Sequence, residues 1–80
     1  SLTYLTRSMS DSADTKAVIV GIKNNVICHA IAINAARDLR PLKPLLERQI
    51  PINIEHFTDP SMSFREVAKK ATLEQTQVNN

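Results

Sequence analysis

The chain has 80 residues, with ten lysines and arginines against eight aspartates and glutamates, and a formal net charge of +2. A chain of this length forms one domain at most and buries only about 60% of the surface that its unfolded form exposes, so an independent enzyme is an uncommon outcome. The basic residues are scattered along the sequence, which is weak evidence for a nucleic-acid partner. The single cysteine excludes an internal disulfide and a cysteine-rich zinc site, and it indicates a reducing compartment or no redox constraint.

The sequence shows no sign of a membrane segment. No apolar run approaches the roughly 18 residues of a membrane span, because Lys23, Asn24 and Asn25 interrupt the longest one. The start of the chain is polar and contains Asp11 and Asp14, which is untypical of a signal peptide. We therefore expect an intracellular protein, cytoplasmic or nuclear, with no membrane partner.

Two strands are predicted in the first part of the chain. Residues 2–6 mix β-branched, aromatic and aliphatic side chains, and residues 15–22 are mainly β-branched, which suits a pleated surface. Residues 7–14 between them are rich in Ser and Asp, and such side chains favour turns. We expect the two strands to form a hairpin across this polar loop.

A helix is predicted next. After the Asn24-Asn25 pair, apolar residues recur every four positions at Ile27, Ile31, Ala35 and Leu39. This spacing stripes one side of a helix and predicts helix over residues 27–39. Pro41 and Pro44 require the helix to kink or to restart with Pro41 in its first turn.

A third strand and a second helix complete the predicted order. Ile50, Ile52 and Ile54 alternate with polar residues or proline, which is typical of a strand with one buried face. We expect residues 50–58 to pair beside residues 15–22 in one sheet. Ser61 or Ser63 then offers an N-cap for a helix, and Ser63 has capping-box spacing to Glu66.

The resulting order is strand, strand, helix, strand, helix, which is an α/β or α+β pattern. We expect a single domain over residues 1–71. Residues 72–80 are polar and without periodicity, and we interpret them as a frayed helix end or a C-terminal tail.

Asp59 is the acid with the most informative position. It follows the predicted third strand and precedes a helix start, where open α/β sheets bind their ligands, so it is a candidate metal ligand. The alternative is that residues 58–61 form only a turn, since Asp before Pro is a common turn signal.

The cysteine and the histidines give weaker candidates. Cys28 and His29 are adjacent, and adjacent helical side chains point about a hundred degrees apart, so they do not form a nucleophile and base pair. A zinc site built from these two residues, His56 and a carboxylate lacks the usual ligand spacing. Cys28 is better interpreted as a small core residue.

Residues 64–78 resemble a helix-turn-helix. Apolar side chains occupy the packing positions of that motif, and Lys69 and Lys70 are placed to meet phosphate. Thr72 stands where the turn usually has Gly, and the segment ends before a recognition helix is complete. The alternative is one capped amphipathic helix followed by a tail.

The sequence also resembles a known family. Residues 42–54 and 57–64 look like the ribonuclease H region of copia-type retrotransposon polyproteins, in which a Leu-rich helix, an Ile-Pro-Ile strand and a Thr-Asp-Ser motif follow one another. The resemblance implies a ribonuclease H-like fold that uses Mg²⁺ to cleave RNA in an RNA–DNA hybrid. It implies that Asp59 is a catalytic metal ligand, that Ser61 and Ser63 lie near the nucleic acid, and that the chain belongs to a larger polyprotein.

Two functions therefore remain open at this point. The first is a piece of a retrotransposon reverse transcriptase and ribonuclease H polyprotein, which we expect to be inactive alone because one carboxylate cannot hold two dications. The second is a small module that binds nucleic acid or protein through residues 64–78, with Lys69 and Lys70 exposed.

Overall fold

The computed structural model describes residues 2–9 and 15–78. The strands are β1 (Thr3–Ser8), β2 (Ala17–Lys23) and β3 (Val26–Ile33), and they form one antiparallel sheet in the order β1-β2-β3. The helices are α1 (Ala36–Leu39), α2 (Lys43–Arg48), α3 (Ile54–Thr58) and α4 (Phe64–Val78), with a 3-10 turn, Arg40–Leu42, between α1 and α2. The chain thus combines a small sheet with helices, as the sequence predicts.

The first predicted hairpin is confirmed. β1 pairs with β2 from Thr3 opposite Ile22 to Ser8 opposite Ala17. The pairing continues past the strand ends, because the Met9 amide donates to the Lys16 carbonyl at 2.8 Å. Residues 7 and 8, expected in the loop, are therefore part of β1. Residues 10–14 of that loop, which include Asp11 and Asp14, lie outside the described residues.

The predicted helix over residues 27–39 is wrong for its first half, which is β3. Asn24 and Asn25 have φ values of 54° and 65° and connect β2 to β3 as a tight turn. Two successive left-handed residues give the two-residue hairpin whose twist matches that of the flanking strands, and Asn tolerates this conformation. The spacing of four between Ile27 and Ile31 fits a helix, but it is also two strand periods, so it did not distinguish the two structures.

The helical segment begins after β3. α1, the 3-10 turn and α2 follow one another, and Pro41 and Pro44 occupy early positions of the 3-10 turn and α2, where a missing amide proton costs no intrahelical hydrogen bond. The predicted kink or restart at Pro41 takes the form of a 3-10 turn between two short helices. Gln49, with φ of 55°, ends α2.

The predicted strand over residues 50–58 is also wrong. Ile50 and Ile52 are buried, but this segment makes only an isolated bridge between Pro51 and Val26 and a hydrogen bond from the Ile52 amide to the Asn25 carbonyl, 2.7 Å. Asn53 then starts α3, because its side-chain oxygen accepts from the amides of Glu55 and His56 at 2.8 and 3.3 Å. The ribonuclease H-like order, with residues 50–58 beside residues 15–22, is therefore absent from the described sheet.

The last helix begins as the sequence predicts. The Ser63 hydroxyl accepts from the Glu66 amide at 3.2 Å, and the Glu66 carboxylate accepts from the Ser63 amide at 3.4 Å, which is a capping box. α4 continues without a turn to Val78, so the helix-turn-helix interpretation is wrong. Residues 72–78 belong to α4. The boundary at residue 71 between a domain and a C-terminal tail stays a prediction.

The helices cover one face of the sheet. Inward residues of β2 and β3 pack with the helices and with residues 50 and 52, and the rings of Phe57 and Phe64 stack with centroids 5.3 Å apart. The buried apolar core consists of Val18, Val20, Ile22, Ile27, Ala35, Leu42, Leu45, Ile50, Ile52, Phe57, Phe64, Val67 and Ala71. This single helical layer leaves the opposite face of the sheet uncovered by the described residues.

Candidate interaction surface

The uncovered side of the sheet, here called the open face, is built from the outward positions of all three strands. Successive strand residues point to opposite faces, so a register that turns Val18 and Val20 inward turns Ile19 and Gly21 outward. Three cross-strand rows result: Tyr4-Gly21-His29, Thr6-Ile19-Ile31 and Ser8-Ala17-Ile33.

Large apolar side chains on the open face are exposed to solvent. Ile31 is 56% exposed, Ile33 is 41% exposed and Tyr4 is 62% exposed. An antiparallel sheet with one solvated face usually places polar side chains there, because the other face supplies the core. Burying a side chain such as Ile stabilises a folded or bound state by about 1.5–3 kcal/mol, so this face favours a packing partner.

The open face carries little charge. None of the nine residues of the three rows is Asp, Glu, Lys or Arg, and Lys23, the next outward residue of β2, adds one cation at its turn end. The ring of Tyr4 lies over Gly21, where an added Cβ would come within 3.0 Å of the Tyr4 Cε1 atom. The absence of a side chain at Gly21 therefore lets the tyrosine lie against the backbone of β2.

The inner face contains a buried arginine that the sequence reasoning placed in a loop. Arg7 is only 6% exposed, and its guanidinium donates to the carbonyls of Phe57 (2.7 Å), His56 (3.0 Å) and Met62 (2.6 Å). Its Cζ atom also lies 4.3 Å from the ring centroid of Phe64. Arg7 thus ties β1 to the end of α3 and to the start of α4.

Burial and the charge of Asp59 both affect the pKa of Arg7. Burial lowers the pKa of Arg7, and the negative charge of Asp59 opposes that effect. An arginine nevertheless stays protonated at all ordinary pH values. The cluster of Arg7 with its three carbonyls is therefore a permanent cationic clamp with a structural role.

Asp59 ends α3 and forms a turn. Its Oδ1 atom accepts from the Ser61 amide at 2.9 Å and from the Ser61 hydroxyl at 2.7 Å. These hydrogen bonds lower the pKa of Asp59, and the charges of Arg7 and His56 lower it further. The carboxylate follows a helix rather than a strand, so the reason for expecting a ligand there, the carboxyl end of a strand, does not hold.

The predicted metal centre is not assembled among the described residues, which contain no group of three or more His, Cys, Asp or Glu side chains near enough to hold an ion. The roles of Asp59 as a catalytic residue and as a ligand of Mg²⁺ stay predictions.

The other predicted contact residues have local roles. The hydroxyls of Ser61 and Ser63 take part in the Asp59 turn and the α4 cap. Lys69 lines an open groove of about 580 Å³ between the residue 40–45 segment and α4, together with Arg40 and Arg65, whereas Lys70 does not line it. Contact of the two serines and two lysines with nucleic acid stays a prediction.

Cys28 is not the core residue that the sequence suggested. The register of β3 shifts opposite Gly21 and Ile22, so Cys28 is left without a partner in β2, and it is exposed. His29 lies on the open face and His56 lies in α3, so the structure does not bring these three residues together.

The sequence prediction missed the open face because it placed both Ile31 and Ile33 in a helix. The signal that identifies them is the Asn24-Asn25 pair, which is typical of a two-residue hairpin turn. Once residues 26–33 are taken as a strand, Ile31 and Ile33 fall on one face.

The comparisons with known proteins give one family. The family model described as Reductase C-terminal matches residues 2–68, which include all three strands, Arg7 and the start of α4. No curated protein and no solved structure matches the chain. No helix within the described part of the chain is long and apolar enough to cross a membrane.

Because the match covers more than half of its length, the chain belongs to the Reductase C-terminal family. This finding overturns the resemblance to a retrotransposon ribonuclease H and the function drawn from it. The RNA–DNA hybrid, the surrounding polyprotein and Mg²⁺ were expected from that resemblance, and they lose its support.

Proposed function

We propose that this chain is the C-terminal domain of a reductase and that it supports the reductase as a rigid packing domain. The observation that carries the proposal is the family match over residues 2–68, which spans the sheet and the helical layer as one unit. A domain of this size buries a smaller fraction of its surface than a larger one, so packing against a larger partner would stabilise it.

The geometry of the polar side chains supports a structural role. Arg7 holds β1 to α3 and α4, Asp59 closes the turn between these helices, and Ser63 caps α4. Each of these groups is engaged with neighbouring backbone, so each orders the chain. Their combined effect is to fix the helices against the inner face and to hold the sheet in one shape.

The test uses the complete polypeptide that contains this chain, expressed from its full reading frame. Reductase activity is measured as oxidation of NADH or NADPH with ferricyanide as the electron acceptor. We expect activity in the complete polypeptide and a loss of at least tenfold, or a loss of soluble protein, when residues 1–80 are deleted. A complete polypeptide without reductase activity, or a deletion with full activity, would contradict the proposal.

A further inference from the structure

We infer that the open face is the surface through which this domain packs against the remaining part of the reductase polypeptide. This inference rests on the proposed function and adds to it the location and the chemistry of the contact. The residues that carry it are the central row, Thr6, Ile19 and Ile31, and the outer-row residues Tyr4 and Ile33.

The first argument is the composition of the face. The outward positions of β3 from Ile31 to Ile33 are isoleucines, and Ile19 of β2 lies between Thr6 and Ile31. A contiguous exposed apolar patch on a small domain marks an interaction surface, whereas isolated exposed apolar residues do not. Here the apolar residues are neighbours across two strands.

The second argument is the charge of the face, which selects its occupant. Apart from Lys23 at the turn end of β2, the outward positions carry no Asp, Glu, Lys or Arg, so the complementary surface carries little charge. The groove between residues 40–45 and α4 differs, because Arg40, Arg65 and Lys69 lie among its apolar side chains. A contact with little charge fits an interface between domains of one polypeptide.

The third argument is the path of the chain. The family description places such domains at the C-terminal end of reductases, so the rest of a reductase precedes β1 in the polypeptide. β1 contributes Tyr4 and Thr6 to the open face. A preceding domain is therefore tethered close to the sheet, which gives it a high effective concentration there. Because the helices already cover the inner face, the open face is the face of the sheet that is left for this contact.

The test compares two matched substitutions in the complete polypeptide. Ile31→Glu places a charge on the open face, and Leu73→Glu places one on α4, where the leucine is 53% exposed against 56% for Ile31. Circular dichroism and thermal melting of the 80-residue chain show whether each variant keeps its fold. Since neither side chain belongs to the buried core, we expect both to fold.

The readouts are limited proteolysis, which releases an undocked domain, and reductase activity. We expect Ile31→Glu to release the domain at least tenfold faster and to lower activity, while Leu73→Glu stays within twofold of the unchanged polypeptide. Thr6→Lys serves as a second open-face variant, and we expect it to act like Ile31→Glu.

Each other outcome overturns the inference. Equal effects of Ile31→Glu and Leu73→Glu, or no effect of both open-face variants, would show that the face is not the domain contact. A dimer of the complete polypeptide that dissociates in Ile31→Glu while the domain stays docked would assign the face to a second copy. Failure of the proposed function is distinct, because the unchanged polypeptide would then lack reductase activity.

Discussion

Replacement of Arg7 by Met removes the clamp that joins the sheet to the helices. The methionine keeps an aliphatic side chain at this position, but it cannot donate to the carbonyls of His56, Phe57 and Met62. It also leaves the face of Phe64 without its cation. The change therefore isolates the contribution of the guanidinium from that of the packed side-chain stem.

The magnitude follows from the four contacts. The bond to the Phe57 carbonyl is buried, and leaving a buried acceptor unpaired costs about 1–3 kcal/mol. The other two carbonyls are partly buried and reach water more readily, so we assign about 1 kcal/mol to each of them and about 0.5–1 kcal/mol to the ring contact. The expected loss is about 3.5–6 kcal/mol, which is a large share of the roughly 4–12 kcal/mol available to a chain of this size.

The assay is urea unfolding of the 80-residue chain followed by far-ultraviolet circular dichroism. Arg7→Lys keeps the charge without the planar fork and should fall between Arg7→Met and the unchanged chain. Arg48→Met, at the exposed last turn of α2, is the control and should change the free energy of unfolding by less than about 1 kcal/mol. A loss below about 1 kcal/mol in Arg7→Met would refute the reasoning.

Three further predictions test the turns and caps. Asn25→Val should destabilise the chain by about 1–2 kcal/mol, because a β-branched residue is strained at the φ of 65°, whereas Asn25→Gly should change stability little; thermal melting measures both. Asn53→Ala should cost about 1 kcal/mol in urea unfolding, because α3 loses its side-chain cap, and an unchanged midpoint would contradict the assignment. The lowered pKa of Asp59 contributes stability that is fully present above the ordinary aspartate pKa of about 3.9 and is lost as the pH falls through the lower folded value. Asp59→Asn should therefore destabilise the chain at pH 6 and have a smaller effect near pH 2, as compared by urea unfolding at the two pH values.

Some of the fold follows from local sequence because local chemistry decides it. The hairpin of β1 and β2 is set by β-branched strands, and the start of α4 is set by the Ser63 and Glu66 capping box. Both patterns specify one structure, since the same residues would be unfavourable in the alternative.

The errors arise where one pattern fits two structures. A spacing of four residues from Ile27 to Ile31 satisfies both helix and strand periodicity, and the turn at Asn24-Asn25 resolves the ambiguity. The alternating isoleucines at 50 and 52 are buried as a strand's would be, but they lie in an extended connection that ends at the Asn53 cap. The burial of Ile50 and Ile52 in an extended connection thus produced the alternating pattern that is typical of a strand.

The functional features were harder to predict because they depend on tertiary structure. Arg7 is buried only because the segment from Phe57, in α3, to Met62 packs against it on the inner face of the sheet. Asp59 has the sequence signals of a ligand, yet its carboxylate is engaged with Ser61. The open face becomes visible only when three strands with the correct register are placed side by side.

Cysteine labelling at position 31 tests the central claim most directly. In a background in which Cys28 is replaced by Ser, Ile31→Cys and Leu73→Cys each provide one exposed thiol within these 80 residues, and peptide mapping follows its reaction with a maleimide. We predict that both react rapidly in the 80-residue chain, and that in the complete polypeptide Ile31→Cys is protected at least tenfold while Leu73→Cys is not. Equal labelling of Ile31→Cys in the chain and in the complete polypeptide would contradict the claim that the open face packs against the rest of a reductase.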